Sequence, residues 1–140
     1  MPETLGHVRA DDTNIFMADL ALGDLHAKAL ASGLEKGGEN VEILNMRNNR
    51  LSGKGAASLV TKLNPMVIKS IDLSNNCLGV VAMEGMLKLC EKTVSLKDLS
   101  LESCNISASA LRILIKGIEV NISLDNLNLA QNNINDGTTD

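Results

Sequence analysis

Three cysteines, Cys77, Cys90 and Cys104, two histidines, His7 and His26, and the glycine-flanked Lys54 are the residues of types best suited to chemistry in this 140-residue chain. A nucleophilic cysteine needs a neighbouring base and a depressed pKa, and no spacing here offers either. The cysteines form no C-x-x-C pair, and an odd number of them with no secretory signal points to a reducing, cytoplasmic setting. His7 and His26 have no nearby metal-type partners. His26 opens a helical segment, where it faces solvent or caps. The run "GKGAAS" at 53–58 lacks the upstream glycine spacing of a phosphate-binding loop, and Gly55 follows Lys54 where that loop needs a serine or threonine. The carboxylates form no isolated pair in an apolar setting of the kind that acid–base catalysis uses. The chain is therefore expected not to be an enzyme and to need no cofactor and no metal.

Composition narrows the partners. Charge is −4, and Phe16 is the only aromatic residue. Nucleic-acid binders are rich in Lys and Arg and stack bases on rings, so no nucleic-acid partner is expected. No stretch approaches the roughly 18 apolar residues of a membrane span. The opening residues "MPETLGHVRADDTN" carry early acids and no apolar run, unlike a signal peptide. The N-x-S sequons at Asn105 and Asn121 are read as chance.

The residues between these groups repeat. The pattern L-x-L-x-x-N-x-L occurs as Leu44, Met46, Asn49, Leu51; as Ile71, Leu73, Asn76, Leu78; as Leu99, Leu101, Cys104, Ile106; and as Leu127, Leu129, Asn132, Ile134. The anchors step by 27, 28 and 28 residues. A worn first copy reads Ile15, Met17, Leu20, Leu22, with Leu20 in the asparagine's place. A further apolar residue precedes each later set: Val41, Ile68, Leu96 and Leu124, with Asp12 in the first copy. The L-x-L core alternates with period two and predicts a strand. The second half of each unit has apolar residues at helical spacing, with Leu30 and Leu34, Leu59 and Leu63, Met86 and Cys90, and Leu114 and Ile118 as core pairs. Ser107 is a candidate N-cap. One strand and one helix cannot bury an apolar face alone, so the units must stack.

These motifs resemble leucine-rich repeats, whose consensus is L-x-x-L-x-L-x-x-N/C-x-L. The length near 28 and the G-x-x-x-L-x-x-x-L helical half resemble the ribonuclease-inhibitor-like subclass. The resemblance covers residues 12 to 136 and implies an α/β solenoid, a right-handed β-α superhelix with parallel strands on the concave face and helices on the convex face. It gives a single domain over 1–140, with an N-terminal cap region at 1–11 and repeats at 12–40, 41–67, 68–95, 96–123 and 124–140, the last incomplete.

The asparagines answer a backbone problem. Where the chain leaves the strand its inward-facing N–H and C=O groups lose ladder partners, at about 1–3 kcal/mol for each left unsatisfied. An amide offers a donor and an acceptor. The resemblance implies that Asn49, Asn76 and Asn132 form such a ladder, with Cys104 as the permitted substitute.

Alternation also gives the inner face. The candidate protein-binding residues are Phe16, Asp19, Ile43, Asn45, Arg47, Asn48, Asp72, Ser74, Asp98, Ser100, Glu102 and Asn128. Asp19, Asp72, Asp98 and Glu102 oppose Arg47 alone, so this face is mildly acidic and would steer a basic or polar protein toward it. Phe16 and Ile43 are its only large apolar members. At the other end, Leu124, Leu127 and Leu129 would leave an open edge suited to end-on docking or self-association.

Three roles fit this frame. The first is a non-catalytic protein-interaction module, an adaptor or assembly subunit. The second is a regulator of an enzyme, since proteins of this repeat class include Ran GTPase activators and ribonuclease inhibitors. The third is an architectural unit of a large cytosolic or cytoskeletal complex.

Overall fold

The computed structural model describes residues 14–134. His7, Asp12, the 1–11 cap region and the residues after 134 lie outside the described residues. Five three-residue strands alternate with four helices: β1 (Asn14–Phe16), α1 (Gly23–Gly37), β2 (Ile43–Asn45), α2 (Gly53–Val60), β3 (Ser70–Asp72), α3 (Gly79–Lys92), β4 (Asp98–Ser100), α4 (Ala108–Val120) and β5 (Asn126–Asn128). The strands form one sheet in chain order, parallel throughout. Each repeat is in register with the next, so Ile15, Leu44, Ile71, Leu99 and Leu127 stand side by side. This is the α/β leucine-rich repeat architecture that the motifs predict.

The middle residue of each strand and the first apolar residue after it point to the helices. Leu44, Met46, Ile71, Leu73, Leu99 and Leu101 are buried, as are the core pairs except Ile118, which is partly buried against the same cluster. Strand pairing continues past the strand ends through single bonds such as Met46 N–H to the Asp72 carbonyl and Asn48 N–H to the Ser74 carbonyl, both at 2.9 Å. There the ladder takes over. Asn76 Oδ1 accepts the N–H of Asn49 at 3.0 Å and of Leu51 at 2.9 Å, while its Nδ2 donates to the Met46 and Leu73 carbonyls. Asn49 serves Leu20 and Leu22 in the same way, and Asn132 serves Cys104 and Ile106. Cys104 donates its thiol to the Leu73 carbonyl at 3.1 Å, and its own backbone carbonyl accepts the Leu78 N–H at 3.0 Å.

The glycines of "GKGAAS" are explained by packing. A Cβ on Gly53 would stand 2.4 Å from the Leu78 carbonyl oxygen, and one on Gly55 would stand 2.1 Å from Asp24 Oδ1. Asp24, in the first turn of α1, accepts the Ser52 N–H at 2.8 Å and the Ser52 hydroxyl, and so supplies the start of α2 with a carboxylate from the preceding repeat. Ser107 caps α4 as predicted, its Oγ accepting from Ala110 N–H at 3.2 Å.

Candidate functional site

The concave face is built from the outward residues of the strands and the second and third residues after each strand. Phe16 is 65% exposed. Ile43, Asn45, Arg47, Asp72, Ser100 and Glu102 are half-buried, and Asp19, Asn48, Asp98 and Asn128 are exposed. Ser74 departs from the expectation of an exposed inner-face residue: it is fully buried. β3 ends at Asp72, so the strand alternation no longer governs Ser74 two residues later. Its hydroxyl bonds with Ser100 Oγ at 2.8 Å and accepts the Glu102 N–H at 3.2 Å.

Side chains of adjacent repeats hold one another across this face. Asn48 Nδ2 donates to Asp19 Oδ1 at 2.9 Å, and Asn126 Nδ2 to Asp98 Oδ1 at 2.7 Å. Asn128 Nδ2 donates to Glu102 Oε1 at 3.2 Å. Arg47 Nη1 lies 3.9 Å from Asp72 Oδ2. Three of the four carboxylates are thus oriented by neutral amides, which fix a carboxylate without cancelling its charge. Between β3, β4 and β5 the face dips into an open trough of about 500 Å³ lined by Ser70, Asp72, Asp98, Ser100, Asn126 and Asn128, over strand residues Ile71, Leu99 and Leu127.

Two structural duties on this face were not read from the sequence. The last strand residues Asn45, Asp72 and Asn128 each accept the backbone N–H two residues on, at 3.1, 2.9 and 3.0 Å, closing the turn that ends the strand. Residues beside the ladder position adopt left-handed backbone: Asn48 at φ 57°, Asn75 at 59°, Ser103 at 54° and Gln131 at 58°. Asparagine is enriched in that conformation, and its recurrence just before Asn49 and Asn76 was the available signal.

The two buried cysteines offer no thiolate. Burial pushes the thiols of Cys90 and Cys104 up to about 11, so both are protonated near neutrality. Cys77 is exposed, with Asn105 Nδ2 at 3.6 Å from its sulfur. His26 bonds the Leu22 carbonyl, within its own helix start. The sequon residue Asn121 is occupied structurally: its Nδ2 donates to the Cys90 carbonyl and its Oδ1 accepts from Leu124 N–H. Among the described residues, no three His, Cys, Asp or Glu groups come together to hold a metal, and no helix is long and apolar enough to cross a membrane.

At the far end of the sheet the core is less covered. Leu127 is 36% exposed, while its equivalents Ile15, Leu44, Ile71 and Leu99 are at 3% or less. Leu124 and Leu129 are partly buried. Among the described residues β5 pairs with β4 alone.

Comparison with known proteins agrees with this architecture. A family profile described as Leucine Rich repeat matches residues 39–60. Among solved structures, one described as leiomodin-1 actin-binding site 2 superposes with a TM-score of 0.75 at 17% identity, covering 91% of this chain and 77% of that one. The tropomodulin C-terminal domain from Caenorhabditis elegans superposes at 0.73 with 15% identity, covering 91% of this chain and 81% of that one.

Proposed function

We propose that this chain of leucine-rich repeats is a non-catalytic protein-interaction module that binds a basic segment of a partner protein on its concave face. The observation that carries the reading is the state of the inner-face acids. Asp98 and Glu102 are oriented by Asn126 and Asn128 rather than neutralised by a cation, and Arg47 is the face's single base. A carboxylate held in this way is poised for a lysine or arginine of a partner and repels acidic surfaces, which favours specificity and encounter rate. Phe16, at the opposite edge of the sheet, supplies an aromatic anchor. The partly uncovered Leu127 extends the surface to the β5 edge, where end-on docking adds apolar area. The chain acts here as an adaptor or assembly subunit in the cytoplasm.

A second reading makes the partner actin. It is favoured by the likeness to a domain named as an actin-binding site. At 17% identity that likeness carries the fold, and fold alone does not carry function. Co-sedimentation with actin filaments and gel filtration with actin monomers test it directly. Hydrogen exchange on whichever complex forms tests the first reading: protection centred on β3–β5 is expected, and protection confined to the helices would overturn it.

A further inference from the structure

The convex side carries a feature that the concave-face reading does not use. Helix α2 has eight residues and α3 has fourteen. With the two repeats offset by 27 residues, as the bond from Asn49 to Asn76 shows, α2 stops level with Leu87. The last turn and a half of α3, Lys88 to Lys92, therefore has no helix beside it on the α2 flank. At about 1.5 Å per residue, roughly 7 Å of α3 meets the turn at Thr61 to Pro65 in place of a helix. The result is a groove of about 310 Å³ with Val60, Leu63, Pro65 and Leu89 as apolar walls and Lys88 and Lys92 at its rim. Gly85 keeps it open, since a Cβ there would press on Val60 Cγ2 at 3.2 Å.

Charge makes the groove distinctive. No carboxylate lines it. Lys62, the nearest base on the other wall, is turned away and paired with Glu35 at 2.9 Å. Neither Lys88 nor Lys92 forms an ion pair with a described residue. By helical spacing Glu84 and Glu91, four residues before Lys88 and three after it, share its exposed face of α3, and neither lines the groove. On a chain of net charge −4 this is a cationic, apolar-walled cleft.

The cleft opens onto an apolar ridge. Met66, Val94 and Ile122 occupy the same position in three successive repeats, two residues before Ile68, Leu96 and Leu124, and are 61%, 51% and 84% exposed. Val94 N–H donates to the Pro65 carbonyl at 3.2 Å, which seats Val94 beside Met66 at the mouth of the groove. No core duty explains three exposed apolar side chains in register, and contiguous exposed apolar surface marks interaction sites.

We propose that this groove and ridge form a second protein-binding surface, whose occupant is an acidic amphipathic segment of a partner protein. A large apolar side chain enters between α2 and α3, carboxylates on either side of it meet Lys88 and Lys92, and further apolar residues lie along Met66 and Val94. An anionic bilayer would also use lysines and exposed apolar groups, but a walled cleft fits an inserted side chain better than a flat surface, and the acidic chain as a whole opposes such a bilayer.

The test is a titration of the isotopically labelled full chain, followed by amide NMR shifts. The probe is a blocked Glu-Glu-Phe-Glu-Glu peptide, with its lysine-for-glutamate counterpart and phosphatidylserine vesicles as comparisons. Shifts centred on Leu63, Gly85, Leu89 and Lys92 with the acidic peptide alone are expected. The exposed double variant Lys88→Gln/Lys92→Gln should weaken that binding by about tenfold with a nearly unchanged melting temperature. Changes to Asp72, Asp98 and Glu102 should leave it untouched, which separates this surface from the concave face. No shift, shifts elsewhere, equal binding by the double variant or the basic peptide, or binding to vesicles in place of the peptide would each overturn the proposal.

Discussion

Arg47 of one repeat faces Asp72 of the next at 3.9 Å across the centre of the concave sheet. This is the only contact on the inner face, among the described residues, in which a side-chain cation meets one of its acids. Solvent reaches both groups, so the pair contributes at most about 1 kcal/mol. Its interest is electrostatic: it divides a face whose remaining acids stay uncompensated. Arg47→Ala should leave the melting temperature nearly unchanged and raise the rate of association with a basic partner, measured by stopped-flow at low salt. A slower association would mean that Arg47 is itself a contact.

The ladder carries far more stability than the face. Asn76 satisfies two buried N–H groups and three buried carbonyls. Asn76→Ala should cost about 3 kcal/mol in urea unfolding, since several buried groups lose partners together. Asn128→Ala, at an exposed position, should cost about 0.5 kcal/mol or less. Similar losses from both would contradict the ladder's role.

Gly55 is a packing glycine at the junction of two repeats. Its α-carbon faces Asp24, whose carboxylate holds the start of α2. Gly55→Ala should destabilise the fold by about 1–3 kcal/mol, because the new methyl displaces Asp24 from Ser52. Gly23→Ala, where an added Cβ meets nothing within 4 Å, tests a different cause, the strain of a φ of 74°. If Gly55→Ala is neutral, the carboxylate contact contributes little.

Legibility followed periodicity. Leu44, Ile71 and Leu99 announced the strands, and Asn49, Asn76 and Asn132 announced the turns, because burial in a stacked repeat forces the same residue types to recur. The inner face was less legible at particular residues. Asn45 and Asp72 looked free for binding, yet each spends an oxygen on its own turn, a duty that polar character alone does not reveal. Ser74 followed the alternation in sequence but lies past the end of β3, where alternation stops. The groove beside α3 arises from a difference in helix length, and Thr61, Lys62 and Leu63 gave no sign that the helix had already ended.

The thiols should divide into two classes. Cys77 is exposed and should react with Ellman's reagent within the mixing time, while Cys90 and Cys104 should react only on unfolding. Burial raises the two inner thiols from the ordinary 9.0 to about 11. Between those values the unfolded chain has released protons that the folded chain still holds. Their contribution is therefore full below pH 9 and is lost as pH rises through about 11. The urea midpoint should fall over that range, and Cys104→Ala should flatten the fall; a midpoint rising with pH would contradict the burial.

The most direct measurement is the affinity of a bound protein partner, with actin assayed first, for the parent chain and for Asp72→Lys/Asp98→Lys/Glu102→Lys. All three acids lie on the concave face with solvent access, and Asp72 also closes the turn after β3 and faces Arg47, so the variant should fold with a moderately lowered melting temperature. A binding face of the kind described here predicts a loss of about a hundredfold or more in affinity, the combined effect of replacing attraction with repulsion at three sites. A folded variant that binds its partner as tightly as the parent would contradict the concave face as the interaction surface.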